Sequence, residues 1–181
     1  MDEIQVEAAD FGIRFAARLV DYLPVMLAGG LSIAVASAIA MTPVPAEESG
    51  SFVLRVGALV ATILYHAFSE SIGGASLGKR LFGLEVVGED LHPATLLQGW
   101  KRNLAFVVDG FFFGLVGYNA MKKSPIRQRI GDGWAKTRVV LRRSLPPALR
   151  RPTSIFVFAL LGAIGIAAEG FALVQLCTTW F

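Results

Sequence analysis

The chain has little charge and very little of the chemistry that charge usually accompanies. Only 17% of its 181 residues are Asp, Glu, Lys or Arg, where soluble domains carry roughly 25%. One cysteine, Cys177, excludes an internal disulfide, and two histidines at unrelated positions leave no metal-ligand spacing. The stretch GGASLGKR lacks the glycine-to-GK spacing of a phosphate loop. Nothing in the order of Ser, His and acidic residues suggests nucleophilic catalysis. The basic residues are not interleaved with aromatics as a nucleic-acid groove requires. The expectation is therefore a protein that is not an enzyme and has no metal, no cofactor and no nucleic-acid partner.

What the chain has in abundance is apolar length. Hydrophobic residues make up 54% and the mean hydropathy is +0.58. A bilayer crossing needs about 20 apolar residues, and three segments qualify: about Leu19 to Met41, Phe52 to Phe68 and Ser154 to Leu176. The leader MDEIQVEAAD is acidic where a cleaved signal would be basic, so the first segment is expected to be a retained span. A fourth stretch, Leu104 to Met121, is apolar but interrupted by Asp109 and by Gly110, Gly114 and Gly117.

Basic residues set the orientation, because cytoplasmic loops carry the excess of Lys and Arg. Arg14 and Arg18 precede the first span, the loop Thr42 to Ser51 has no basic residue, and ten of the 17 lie between Lys122 and Arg151. The N-terminus is expected inside and the C-terminus outside. A full crossing by Leu104 to Met121 would put the ten-charge loop outside, against the rule. A helix broken near Asp109-Gly110 and returning as a re-entrant hairpin keeps both flanks cytoplasmic. The alternative is four spans.

Two branched runs, Leu81 to Val87 and Thr137 to Leu141, read as strands that pair beneath the membrane. The expected architecture is an all-α integral membrane protein with three transmembrane helices, a re-entrant helical hairpin and a small cytoplasmic β-sheet. Its parts would be a membrane domain over 8–141, a basic linker with Pro146, Pro147 and Pro152 over 142–153, and an additional helix over 154–181.

Three blocks carry a family resemblance. GIRFAARLVDYL places Arg14, Ala17 and Asp21 at the spacing of the RDD signature. SLGKRLFGLEVV resembles the family's TLGKRLLGLRVV-like block, with Ser76 in place of the usual Thr. SPIRQRIGDGWAKTRVV resembles its closing block. The chain is thus similar to the RDD family over about residues 8 to 141. The resemblance implies a multi-pass bacterial-type membrane protein with Arg14, Asp21 and Asp132 as the signature charges. For that family, cation–proton exchange and membrane adapter roles have both been proposed.

The residues themselves leave two readings open. Ionisable groups in a membrane mark functional sites by default, and Asp21, Asp109, His66 and Glu70 would line an ion or proton path. The other reading takes the signature charges as structural, in an accessory or adapter subunit of the plasma (bacterial inner) membrane. Arg142, Arg143, Arg150 and Arg151 flank the last span, where they orient it and can contact anionic lipid. Small-residue ladders, Ala28-Ser32-Ala36-Ala40 and Ala159-Ala163-Ala167, allow close helix packing within the chain, against a membrane partner or in a homo-oligomer.

Overall fold

The structure, a computed structural model, describes residues 5–40, 51–109 and 115–179. In chain order the elements are α1 (Phe11–Ala40), α2 (Ser51–Gly73), α3 (Leu77–Leu81), β1 (Leu84–Gly88), α4 (Leu96–Leu104), α5 (Phe106–Asp109), α6 (Leu115–Lys123), α7 (Ile130–Trp134), β2 (Thr137–Leu141) and α8 (Thr153–Thr179). The outer end of the first expected span and most of the expected outer loop, residues 41–50, lie outside the described residues.

Three long helices form one layer. At 1.5 Å per residue, α1, α2 and α8 run for about 45, 35 and 40 Å, against a hydrocarbon core of about 30 Å. Among the described residues, Arg55–Gly73 and Pro147–Gly170 are long and apolar enough to cross a membrane. The helices pack through small side chains. Ala28 of α1, Ala61 of α2 and Ala163 and Ala167 of α8 are fully buried, with Tyr65 among them. A Cβ on Gly73 would press on Phe156 and Ala159, so the end of α2 lies directly on the start of α8. The opposite faces are apolar and exposed: Phe15, Leu19, Tyr22, Leu23, Met26 and Leu27 on α1, and Val157, Phe158 and Leu161 on α8. Stripes of that size are the surface a bilayer would cover.

The second layer sits at one end of the bundle. β1 and β2 pair antiparallel, Leu84 opposite Leu141 and Gly88 opposite Thr137. Residues 7–9 run along the free edge of β2, with Ala9 N–H donating to the Val139 carbonyl and Leu141 N–H to the Glu7 carbonyl, both at 2.9 Å. The pleat gives each face its own core. Leu84, Val86 and Val139 pack with Ala9 and Ala17, while Val87 and Val140 pack with Leu91 and Leu145. The first strand is shorter than expected. Ser76 caps α3 by accepting from Lys79 N–H, the helix runs to Leu81, and Gly83 turns the chain at φ +65° before Leu84. A helical turn therefore replaces the expected strand residues Leu81 to Gly83.

Between the strands the chain does not form one helix from Leu104 to Met121. α4 ends at Leu104, α5 is a single turn ending on Asp109, and α6 begins at Leu115. A Cβ on Gly117 would lie 3.3 Å from the Asp109 carbonyl oxygen, so α6 lies beside the end of α5; the expected hairpin turn, with Gly110 and Gly114, lies outside the described residues. α4 is amphipathic in an inverted sense. It buries Gly99, Arg102 and Asn103 and exposes Leu96, Leu97 and Leu104. In water that arrangement is unfavourable; beside lipid it is what burial of polar groups demands.

The α2–α8 seam makes the last helix part of the bundle core. Ala163→Leu adds volume to a filled seam and should lower stability by about 1–3 kcal/mol. Gly165, where a Cβ meets open space, should accept Ala without loss. Thermal unfolding in detergent micelles checks both; equal midpoints would mean that α8 does not pack as described.

Candidate functional site

Where the helix layer meets the sheet layer, the chain buries a cluster of charges. Arg14 lies in the first turns of α1, whose start is held by Asp10 Oδ1 accepting from Ile13 N–H at 3.0 Å. Its guanidinium pairs with Asp132 Oδ2 at 2.7 Å and donates to the carbonyl oxygens of Ala9, Arg127 and Val139. One side chain thus ties α1 to α7 and the sheet. Arg102, from the inner face of α4, lies 2.9 Å from Asp132 Oδ1. Arg129 approaches the same oxygen at 3.8 Å. Burial alone would raise the Asp132 carboxyl, but Arg102, Arg129 and Arg14 outweigh it and hold it well below the usual carboxylate range. Burial likewise opposes the charge on Arg129, which Asp132 and Asp109 together raise above its ordinary value.

Arg102 also reaches the second carboxylate. Its Nε lies 3.3 Å from Glu70 Oε2, and its side chain has no exposed surface. Asn103 donates to the same oxygen at 3.3 Å. On the other side of Glu70, Oε1 receives Lys79 Nζ and lies 3.1 Å from His66 Nδ1. Burial lowers the Lys79 ammonium, with Glu70 and Asp21 acting against that shift. α4 can come this close because Gly99 has no side chain; a Cβ there would collide with Ser71 Oγ on α2. Asp21 is held by neutral donors: Ser76 Oγ at 2.6 Å, Gly78 N–H at 2.8 Å and Tyr65 Oη at 3.2 Å. A Cβ on Gly78 would collide with the Ala17 carbonyl oxygen, so glycine is what lets α3 present its amide to Asp21.

Groups from all three sequence blocks meet here, joined by Glu70, Arg102 and Asn103 from outside them. The sequence model of the RDD family matches residues 8–136. The chain belongs to the RDD family. It is also similar to the uncharacterized protein YxaI of Bacillus subtilis (strain 168), 29% identical over 149 residues, which covers 74% of this chain and 97% of that protein. No solved structure matches.

Of the three charges that the resemblance assigns to the signature, Arg14 and Asp132 meet directly, while Asp21 is held by Ser76, Gly78 and Tyr65. Of the expected path residues, His66 touches Glu70, both wholly buried in α2. Asp109 lies beside α7, its two oxygens each accepting at 3.1 Å from Ile130 N–H and Gly131 N–H. Those partners tie it to the segment that follows α6. Among the linker arginines, Arg142 binds Glu85 of β1 and the Arg151 carbonyl. Arg151 donates to the Ser71 carbonyl at the end of α2, satisfying a helix-end acceptor. Arg143 and Arg150 stand further out.

Sequence reasoning missed Arg102, which joins the two halves of the cluster, and undervalued Lys79 and Arg129, counting them for topology or family spacing only. A signal existed for Arg102. The helix Leu96–Leu104 has Leu96, Leu97 and Leu104 on the side away from Arg102 and Asn103, and next to a membrane such a polar face points into the protein.

Breaking a buried ion pair by removing one partner costs about 3–5 kcal/mol. Arg102→Ala should therefore lower the unfolding midpoint and folded yield far more than Lys101→Ala at the exposed position beside it. The pH dependence follows from Asp132. Its folded pKa is depressed, so its contribution is present above the unfolded value of about 3.9 and is lost as pH falls below that value towards the folded one. Acid titration of thermal stability should show a loss starting near pH 4 that Asp132→Asn removes. A loss that survives this substitution would assign it to another group.

Proposed function

We propose that this RDD-family chain is a non-enzymatic accessory or adapter subunit of the plasma membrane (the inner membrane where there are two). Its charge cluster serves as a clamp on the cytoplasmic side. The observation that carries this reading is Arg102, wholly buried and bridging Glu70 and Asp132. Asp21, Glu70, Asp109 and Asp132 are each engaged by groups from other elements, so each carboxylate joins segments of the fold. A transported cation would have to displace such partners at every step. The exposed stripes of α1 and α8 are then the surfaces for lipid and for a membrane partner or second copy.

In this reading α1, α2 and α8 cross the bilayer. The segment from α4 to α6 dips in from the cytoplasmic side and returns, as the approach of α6 to the end of α5 and the exposed Leu97 and Leu104 favour. The N-terminus and the loop Lys122 to Arg151 are cytoplasmic, and the C-terminus is outside. Cysteines placed singly in that loop, in a Cys177-free background, should resist a membrane-impermeant thiol reagent in intact cells. Ready labelling would make Leu104 to Met121 a full crossing.

One observation favours a second reading, a cation–proton exchanger. His66 and Glu70 touch inside the candidate span Arg55–Gly73, and a buried imidazole beside a carboxylate can carry a proton. Vesicles containing only this protein separate the two. The adapter reading expects no proton-coupled cation flux, together with co-purification of a stable membrane partner. Robust flux that Glu70→Gln abolishes, in a variant that still folds, would replace it with the exchanger.

A further inference from the structure

Beside the foot of α1 and the start of α8 the surface carries a groove of about 450 Å³ that the clamp does not use. Its lining combines apolar Ile13, Phe82 and Leu141 with cationic Arg142, Arg143 and Arg150. We propose that this groove is a binding site for the headgroup of an anionic phospholipid.

The groove sits where headgroups would lie. Ile13 lies in the first turn of α1, Phe82 caps α3 directly after α2, and the three arginines lead into α8. The groove therefore lies beside the start of α1, with the end of α3 and the segment leading into α8 around it, at the level of lipid headgroups where those helices cross in the proposed topology. Only that placement rests on the membrane reading; the adapter and the exchanger share it.

Its cationic side is only partly neutralised. Arg142 is occupied by Glu85, which Arg80 also approaches at 3.8 Å. Arg143 reaches Glu7 at 3.2 Å, but both side chains are open to solvent, where such pairs are weak. Arg150 donates to the carbonyl oxygens of Leu145 and Arg143, which orient its guanidinium without neutralising it. With Arg142 held by Glu85, Arg143 and Arg150 remain to hold a phosphate through planar guanidinium donors.

The apolar part selects the occupant. Phe82 is 39% exposed, and Leu81 beside it is 67% exposed. A free phosphate would leave these side chains in water, whereas a phospholipid covers them with the upper part of its acyl chains while its phosphate meets the arginines. An arginine near an anionic membrane surface strengthens binding about fivefold. Replacing Arg143 and Arg150 together should therefore weaken binding by about 25-fold.

The test is native mass spectrometry of the full-length protein in detergent, titrated with dioleoylphosphatidylglycerol or dioleoylphosphatidylcholine. The proposal expects one tightly held phosphatidylglycerol and much weaker phosphatidylcholine. It also expects an approximately 25-fold loss for R143Q/R150Q, and no change for K122Q/K123Q, which alters basic residues outside the groove. Equal retention of the two lipids would overturn it, as would phosphatidylglycerol binding that R143Q/R150Q leaves intact. Displacement of the lipid by inorganic phosphate at matching concentration would make it a free-phosphate site instead. If R143Q/R150Q does not fold, the lipid comparison on the unaltered protein decides, with Phe82→Ser expected to weaken phosphatidylglycerol binding.

Discussion

The structure depends on one buried cation. Arg102 lies with no exposed surface between Glu70 of α2 and Asp132 of α7, and each of those carboxylates gathers further segments. Through Asp132 it is linked to Arg14 and hence to α1 and the sheet; through Glu70 it is linked to Lys79 of α3 and His66 of α2. Charges in such a place are expensive unless they are paired; Arg102 meets both carboxylates at ion-pair distance, while its nitrogens lack hydrogen-bond geometry to either, so the bridge is one of charge. The pairing here comes from residues as far apart as Arg14 and Asp132, so the cluster forms only when the chain is folded. In the proposed reading it serves as a register device between the helix bundle and the small sheet.

That role also accounts for glycines at close approaches. Gly78 admits α3 to α1 and Gly99 admits α4 to α2, and each contact delivers a polar group to the cluster: the Gly78 amide to Asp21, and Arg102 and Asn103 to Glu70. Beyond the RDD match at residues 8–136, β2 completes the sheet and α8 covers α2. The helix that looked like an addition in the sequence therefore closes the bundle.

Much of this was legible in the residues. Long apolar runs are unambiguous in a period-free way, so the long helices could be read from length alone, and the branched runs at 84–87 and 137–141 paired as expected. The ladder Ala159-Ala163-Ala167 packs within the chain, which was the plainer of its readings. Other features were hidden because they arise only in three dimensions. Leu81 and Phe82 look like strand residues, but the Ser76 cap carries α3 through Leu81. Asp109 reads as part of a hairpin turn, and nothing in the sequence shows that its partners are amides 21 and 22 residues further on. Arg102 is one basic residue among many until α4 is seen to turn its polar face inward.

In this account Glu70 and Asp132 act as a unit through Arg102, which lies between them. A double-mutant cycle with Glu70→Gln and Asp132→Asn, read by thermal or denaturant unfolding in micelles, tests it directly. Groups in one buried network should show a coupling of about 0.5–3 kcal/mol. Losses that add to within about 0.5 kcal/mol would mean that the two carboxylates are independent and that the bridge does not hold the fold together.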